Sequence, residues 1–252
     1  MVSENKDMLI KVPAVTLGFW VIKILATTLG ETGGDAVSMS MELGYLVGTA
    51  IFMTLFVAAV FCQIKAKSFN ASLYWLTIIA STTVGTTLAD FATRSLGIGY
   101  LGGTALLTLL LAAALFIWYK DLGRVDAGSI STPKAEFYYW VTIMFSQTLG
   151  TALGDWTADT AGLGYLGAAA IFSTLLLVVV ALYYVSTVSK AVLFWCAFVL
   201  TRPLGAVVGD FLDKPIAQGG LELSQYSATV ALATAILVLV VVLPQRAATQ
   251  SH

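Results

Sequence analysis

The chain has 252 residues, of which 58% are hydrophobic and only 11% charged, with 13 Lys and Arg against 14 Asp and Glu. Soluble domains carry roughly a quarter of their residues as charges, so a mean hydropathy of +0.89 places this chain among integral membrane proteins. A net charge of −1 with no basic tract leaves nucleic acid without an electrostatic footprint, and a lone terminal histidine, His252, with two isolated cysteines, Cys62 and Cys196, leaves haem and soft metals without ligands.

The first eleven residues interleave Glu4, Lys6, Asp7 and Lys11 and lack a signal-peptide pattern, so the N-terminus is expected to be retained. Apolar stretches near the roughly 20 residues that a bilayer requires then follow in order. The first, 12–33, carries Lys23 and Glu31, and the second, 45–63, is uncharged. The third, 73–90, ends on Asp90, and the fourth, 100–119, is again uncharged. A connection holding Gly123, Gly128 and Pro133 among charged residues divides the chain into a first half, 1–122, a cytoplasmic linker, 123–136, and a second half, 137–252. Beyond it, 137–155 ends on Asp155, 165–187 is uncharged, 192–210 holds Arg202-Pro203 and ends on Asp210, and 226–243 is uncharged. The chemistry is expected on the odd-numbered spans.

Internal repetition organises these spans. Aligning Trp20, Trp75, Trp140 and Trp195 gives Trp-x9-Gly-x4-Asp four times, through Gly30, Gly85, Gly150 and Gly205 to Asp35, Asp90, Asp155 and Asp210. Ten residues further on, three repeats read Tyr-Leu after a glycine, and the fourth departs with Gly219-Gly220. The fold expected is all-α: eight transmembrane helices from four two-helix repeats, in two halves related by a pseudo-symmetry axis along the membrane normal. Lys6, Lys11, Lys65, Lys67, Lys120, Arg124, Lys134, Lys190 and Arg246 fall on the side of the termini and only Arg94 and Lys214 opposite, which places both termini in the cytoplasm. The aromatic clusters around the four tryptophans read as anchors at the cytoplasmic interface, and the glycines as points of close helix approach.

Fifteen residues from Trp to Asp span ~22 Å of helix, so each Asp lies in the outer part of the bilayer or at its edge. Charged carboxylates there must face the bundle interior, water or a cation. Glu31 with Asp35, and Asp155 with Asp159, are acid pairs at four-residue spacing, whereas Asp90 with Arg94 and Asp210 with Lys214 are acid–base pairs at the same spacing. The acid pairs are therefore candidate metal ligands, and the acid–base pairs are candidate structural ion pairs. Thr28 and Thr148 extend the candidate ion-binding face inward, although such hydroxyls often bond their own helix. Lys23 and Arg202 are basic residues well inside spans and are candidates for coupling. A Lys23–carboxylate pair would avoid an isolated charge, and Pro203 could free a carbonyl.

The four tandem two-span repeats with their tryptophan resemble a bacterial membrane-protein family known as a domain of unknown function, over residues 9–243. That resemblance implies a fold and little biochemistry. Glu31-Thr32-Gly33-Gly34-Asp35 also resembles the Glu-x-Gly-Asp signature of manganese and calcium cation/proton exchangers, with one extra residue and without the basic residue after Asp. The function expected is secondary transport of a cation, a hard divalent ion of the Mn, Mg or Ca class in exchange for protons. A non-transporting scaffold or sensor and a passive cation channel are the alternatives. No nucleophile–base constellation points to an enzyme and no cofactor is expected. The expected partners are lipid, inorganic cations and protons in a bacterial inner membrane, with homo-oligomerisation left open.

Overall fold

A computed structural model describes residues 11–125 and 132–248. The residues around Glu4 to Asp7, the middle of the linker and His252 lie outside them. The described residues form eight long helices: α1 (Leu17–Asp35), α2 (Gly44–Lys65), α3 (Ala71–Asp90), α4 (Gly99–Leu122), α5 (Pro133–Asp155), α6 (Gly164–Val185), α7 (Lys190–Asp213) and α8 (Gln225–Val242). Local chemistry sets their ends. Thr16, Asn70 and Thr132 cap α1, α3 and α5 by accepting from backbone N–H groups three residues on, and Pro133 fits the first turn of α5. The linker therefore ends earlier than the sequence suggested. Gly44, before Tyr45, adopts φ 76° with nothing near where a side chain would sit, so its glycine serves the backbone turn.

The odd helices α1, α3, α5 and α7 form a closed ring, each packed on the next and α7 packed on α1. Each even helix packs chiefly on the inner helix of the following repeat: α2 on α3, α4 on α5, α6 on α7, and α8 back on α1. This arrangement explains the composition. Among the described residues, the outer helices and α7, five helices, are long and apolar enough to cross a membrane, whereas α1, α3 and α5 are shielded by the outer layer and carry polar residues inward.

The repeated motif is a set of contacts made four times around the ring. The residue before each tryptophan meets the tryptophan of the next repeat: Phe19 with Trp75, Tyr74 with Trp140, Tyr139 with Trp195, and Phe194 with Trp20, at ring-centroid separations of 5.4, 5.8, 6.1 and 5.7 Å. Tyr74, Trp75, Tyr139 and Trp140 are fully buried, and the two tyrosine hydroxyls are 3.2 Å apart. These four rings pack inside the bundle, which corrects the reading of the second and third clusters as lipid-facing anchors, whereas Trp20 and Trp195 are half-buried. About two to three turns further along, each motif glycine receives the next repeat: Gly30 takes Thr82, Gly85 takes Gln147, Gly150 takes Arg202, and Gly205 takes Thr27. Small residues at these points allow the backbone contact that drives helix association where lipid removes the hydrophobic force.

The tryptophan end of the bundle also carries the first and last described residues. Val12 to Ala14 and Arg246 to Ala248 pair antiparallel, and Gln245 accepts from the Trp75 indole N–H at 3.2 Å. Lys11 donates to the last carbonyls of α2, Gln63 O and Ile64 O, and pairs with Glu136 at 2.6 Å.

Candidate functional site

At the far end of the ring, α1, α3 and α5 each finish on the motif aspartate and widen into a π-helical turn, at Ala36–Ser40, Phe91–Ser95 and Trp156–Thr160. In the fourth repeat the α-helix runs on to Asp213 and Lys214 follows in extended conformation. Asp35, Asp90, Asp155 and Asp210 are all buried, at 1–3% exposure, around one end of the ring.

Two cations divide these four carboxylates into two lobes. Arg94 holds Asp90 of its own repeat at 2.9 Å and Asp155 of the next at 3.7 Å. Lys214 holds Asp210 of its own repeat at 3.2 Å and donates to Asp35 of the first, with Asp213 at 4.0 Å. Burial works against the Lys214 charge, but Asp210, Asp35 and Asp213 outweigh it and hold the ammonium well above the ordinary lysine range. The expected pairs Asp90/Arg94 and Asp210/Lys214 are therefore present. Each cation also bridges to a neighbouring repeat, which four-residue spacing along one helix does not reveal.

One turn deeper, Arg202 joins all four inner helices. Its Nε donates to Gln147 O at 3.2 Å and its Nη1 to Thr27 O at 3.1 Å. Its Nη2 reaches Glu31 Oε2 at 2.9 Å, Thr86 Oγ1 at 2.6 Å and the Thr151 hydroxyl. The guanidinium is 0% exposed, and Glu31 neutralises it. Thr86 also donates to Gly30 O, so the network continues into the backbone. Sequence reasoning left Arg202 open between pairing and chemistry. The usable signal was the alignment column seven residues after each tryptophan, which reads Thr27, Thr82, Gln147 and Arg202.

The sequence-derived site is rearranged by the fold. Glu31, Asp35 and Asp210 each offer a carboxylate oxygen within 4.8 Å of the others. Asp155 belongs to the other lobe with Arg94. Asp159 is exposed on its π-helical turn and accepts from the Tyr100 hydroxyl at 3.0 Å, so the Asp155/Asp159 acid pair does not form a binding face. Thr28 and Thr148 donate to Ile24 O and Met144 O of their own helices, at 3.0 and 2.9 Å. Asp35 stands near the acid Glu31 as the spacing implies, and Lys214, arriving from the last repeat, supplies the cation that offsets their repulsion. Lys23 is fully buried and meets no carboxylate among the described residues. Its ammonium has no hydrogen-bond partner there and lies 4.2 Å from the centre of the Phe198 ring, since Glu31 two turns on is taken by Arg202.

The fold and site define a helical, membrane-type protein of four tandem two-helix repeats, with a polar centre walled off by an apolar outer layer. The chain belongs to the family described as Repeat of Unknown Function (DUF347), which matches it four times, over residues 18–69, 73–121, 138–189 and 193–246. These matches coincide with α1–α2, α3–α4, α5–α6 and α7–α8. No curated protein and no solved structure matches the chain.

Proposed function

We propose that the protein is a secondary transporter for an inorganic cation, a hard divalent ion exchanged for protons, with all eight helices spanning a bacterial inner membrane and both termini cytoplasmic. The observation that carries this reading is the convergence of five buried carboxylates, Glu31, Asp35, Asp90, Asp155 and Asp210, at one end of a closed helix ring. Charged groups inside a membrane bundle are costly, and their usual return is an ion or proton pathway. Oxygen is the ligand chemistry on offer, which suits Ca, Mn or Mg over softer ions. No nucleotide motif occurs in the sequence, so an ion gradient is the available energy source.

A passive channel is disfavoured by Arg202, whose buried guanidinium bonds to α1, α3 and α5 across the ring, and by the buried rings of Tyr74, Trp75, Tyr139 and Trp140. A non-transporting scaffold has one specific observation in its favour: Arg94 and Lys214 already partner the ring aspartates. Reconstitution separates these readings. Proteoliposomes with an imposed pH gradient should accumulate Mn or Ca ions, collapse of the gradient should stop uptake, and Asp35→Asn should abolish it. Uptake that follows voltage and ignores pH would identify a channel. Failure to bind or move any cation would identify a scaffold.

A further inference from the structure

We propose that Glu31, Asp35 and Asp210 form the cation-loading site and that Lys214 is a tethered cation occupying it until a metal ion displaces the ammonium toward Asp213. This rests on the transporter reading and adds to it the place of loading and the competitor. The two lobes of the carboxylate ring supply the argument, because pseudo-symmetry makes one a control for the other. In the lobe of Arg94, the place that corresponds to Glu31 is taken by Thr151, leaving two acids and a delocalised, bridging guanidinium. In the lobe of Lys214 there is a third acid, and the cation is a compact ammonium on a flexible stem.

Three further features single out this lobe. Asp35 Oδ1 is buried and has no hydrogen-bond partner among the described residues, so the carboxylate keeps an unused ligand position. Oxygens lying up to 4.8 Å apart match ligands on opposite sides of an ion with bonds of ~2.4 Å, within the calcium range, whereas magnesium at ~2.1 Å would require the cluster to contract. Asp213, with both oxygens buried and free of hydrogen bonds among the described residues, lies 4.0 Å from the Lys214 ammonium and can receive it on displacement. The backbone need not move, since Lys214 O accepts from Glu222 N at 3.0 Å and Leu221 N donates to Phe211 O at 2.7 Å, fixing the segment while the side chain turns. Charge balances as well. Three carboxylates against Arg202 and Lys214 keep one net negative charge, and a divalent ion in place of the ammonium brings the cluster to neutrality.

Calorimetric titration of the purified full-length protein with calcium chloride or manganese chloride tests this directly. Lys214→Met should tighten binding by about tenfold or more, since loss of a competing cation in a poorly hydrated site is worth at least one such factor. Lys214→Arg keeps the charge and pairs more firmly, so it should weaken binding. The expected opposite signs hold the test open if one variant fails to fold. Asp35→Asn should remove binding. Binding that is lost in Asp155→Asn and insensitive to both Lys214 variants would place loading in the other lobe, overturning this inference while leaving the transporter reading intact. Absence of binding in the wild type and every variant would overturn both.

Discussion

Gly205 and Gly30 provide a quantitative test of the ring. A Cβ added at Gly205 would sit 2.5 Å from Thr27 Cβ and 2.9 Å from its carbonyl carbon, and one at Gly30 would meet Thr82 at the same two distances. The backbone carbons cannot turn aside as a side-chain tip could, so alanine must separate the helices. At Gly33, also within α1, the nearest atom to an added Cβ is Thr229 Cγ2 at 3.7 Å, an ordinary contact. Alanine is favoured over glycine in a helix interior by about 0.8–1.0 kcal/mol. That gain is common to all three sites, whereas forced overpacking costs about 1–3 kcal/mol. Gly205→Ala and Gly30→Ala should therefore be less stable than Gly33→Ala by about 1–3 kcal/mol. At about 2–4 °C per kcal/mol for a chain of this size, the separation in Tm is about 2–12 °C. Thermal unfolding in one detergent, followed by tryptophan fluorescence, measures it. Equal Tm values for the three variants would show that the close approach between α1 and its two ring neighbours is not what these glycines serve.

Two other outcomes follow from geometry. Arg202→Met should destabilise the protein by about 3–5 kcal/mol, because it strands buried Glu31, and Arg202→Met with Glu31→Met should recover much of the loss in the same assay. For topology, cysteines placed at exposed Ser68 and Ser95 after replacing Cys62 and Cys196 should react with an impermeant thiol reagent from opposite sides of the membrane, Ser68 from the cytoplasm. Labelling of both from one side would refute the eight-span arrangement.

The four repeats were legible in the recurring Trp-x9-Gly-x4-Asp, and the Asp90/Arg94 and Asp210/Lys214 pairs in a four-residue spacing that still brings the partners together although Arg94 lies on the π-helical turn and Lys214 just past α7. Contacts between repeats were not. Four-residue spacing shows Asp35 beside Glu31 and says nothing of Lys214, which is 179 residues away and arrives because the ring closes the last repeat on the first. Composition also misled at the tryptophans. Amphipathic rings near the end of a span suit a lipid interface, but Tyr74, Trp75, Tyr139 and Trp140 lie inside the ring, where each finds an aromatic neighbour from an adjacent repeat. The π-helical turn at Trp156–Thr160 accompanies the failure of the Asp155/Asp159 pairing, with Asp159 at the exposed rim.

Each repeat offers its motif glycine to the next and places its own side chain seven residues after the tryptophan into the previous one, so the face it gives differs from the face it receives. Such head-to-tail contacts close after four copies, as in a cyclic tetramer of two-helix units. Identical subunits would place any change at four positions at once. Four arginines at the level of Arg202 would meet in the bundle with four buried charges to neutralise. Joining the copies in one chain removes that constraint: a single guanidinium can bond to Thr27, Thr86, Gln147 and Thr151 of the other three copies, with Glu31 supplied once by the first. Covalent linkage thus lets a ring with fourfold architecture hold a centre that has no fourfold symmetry.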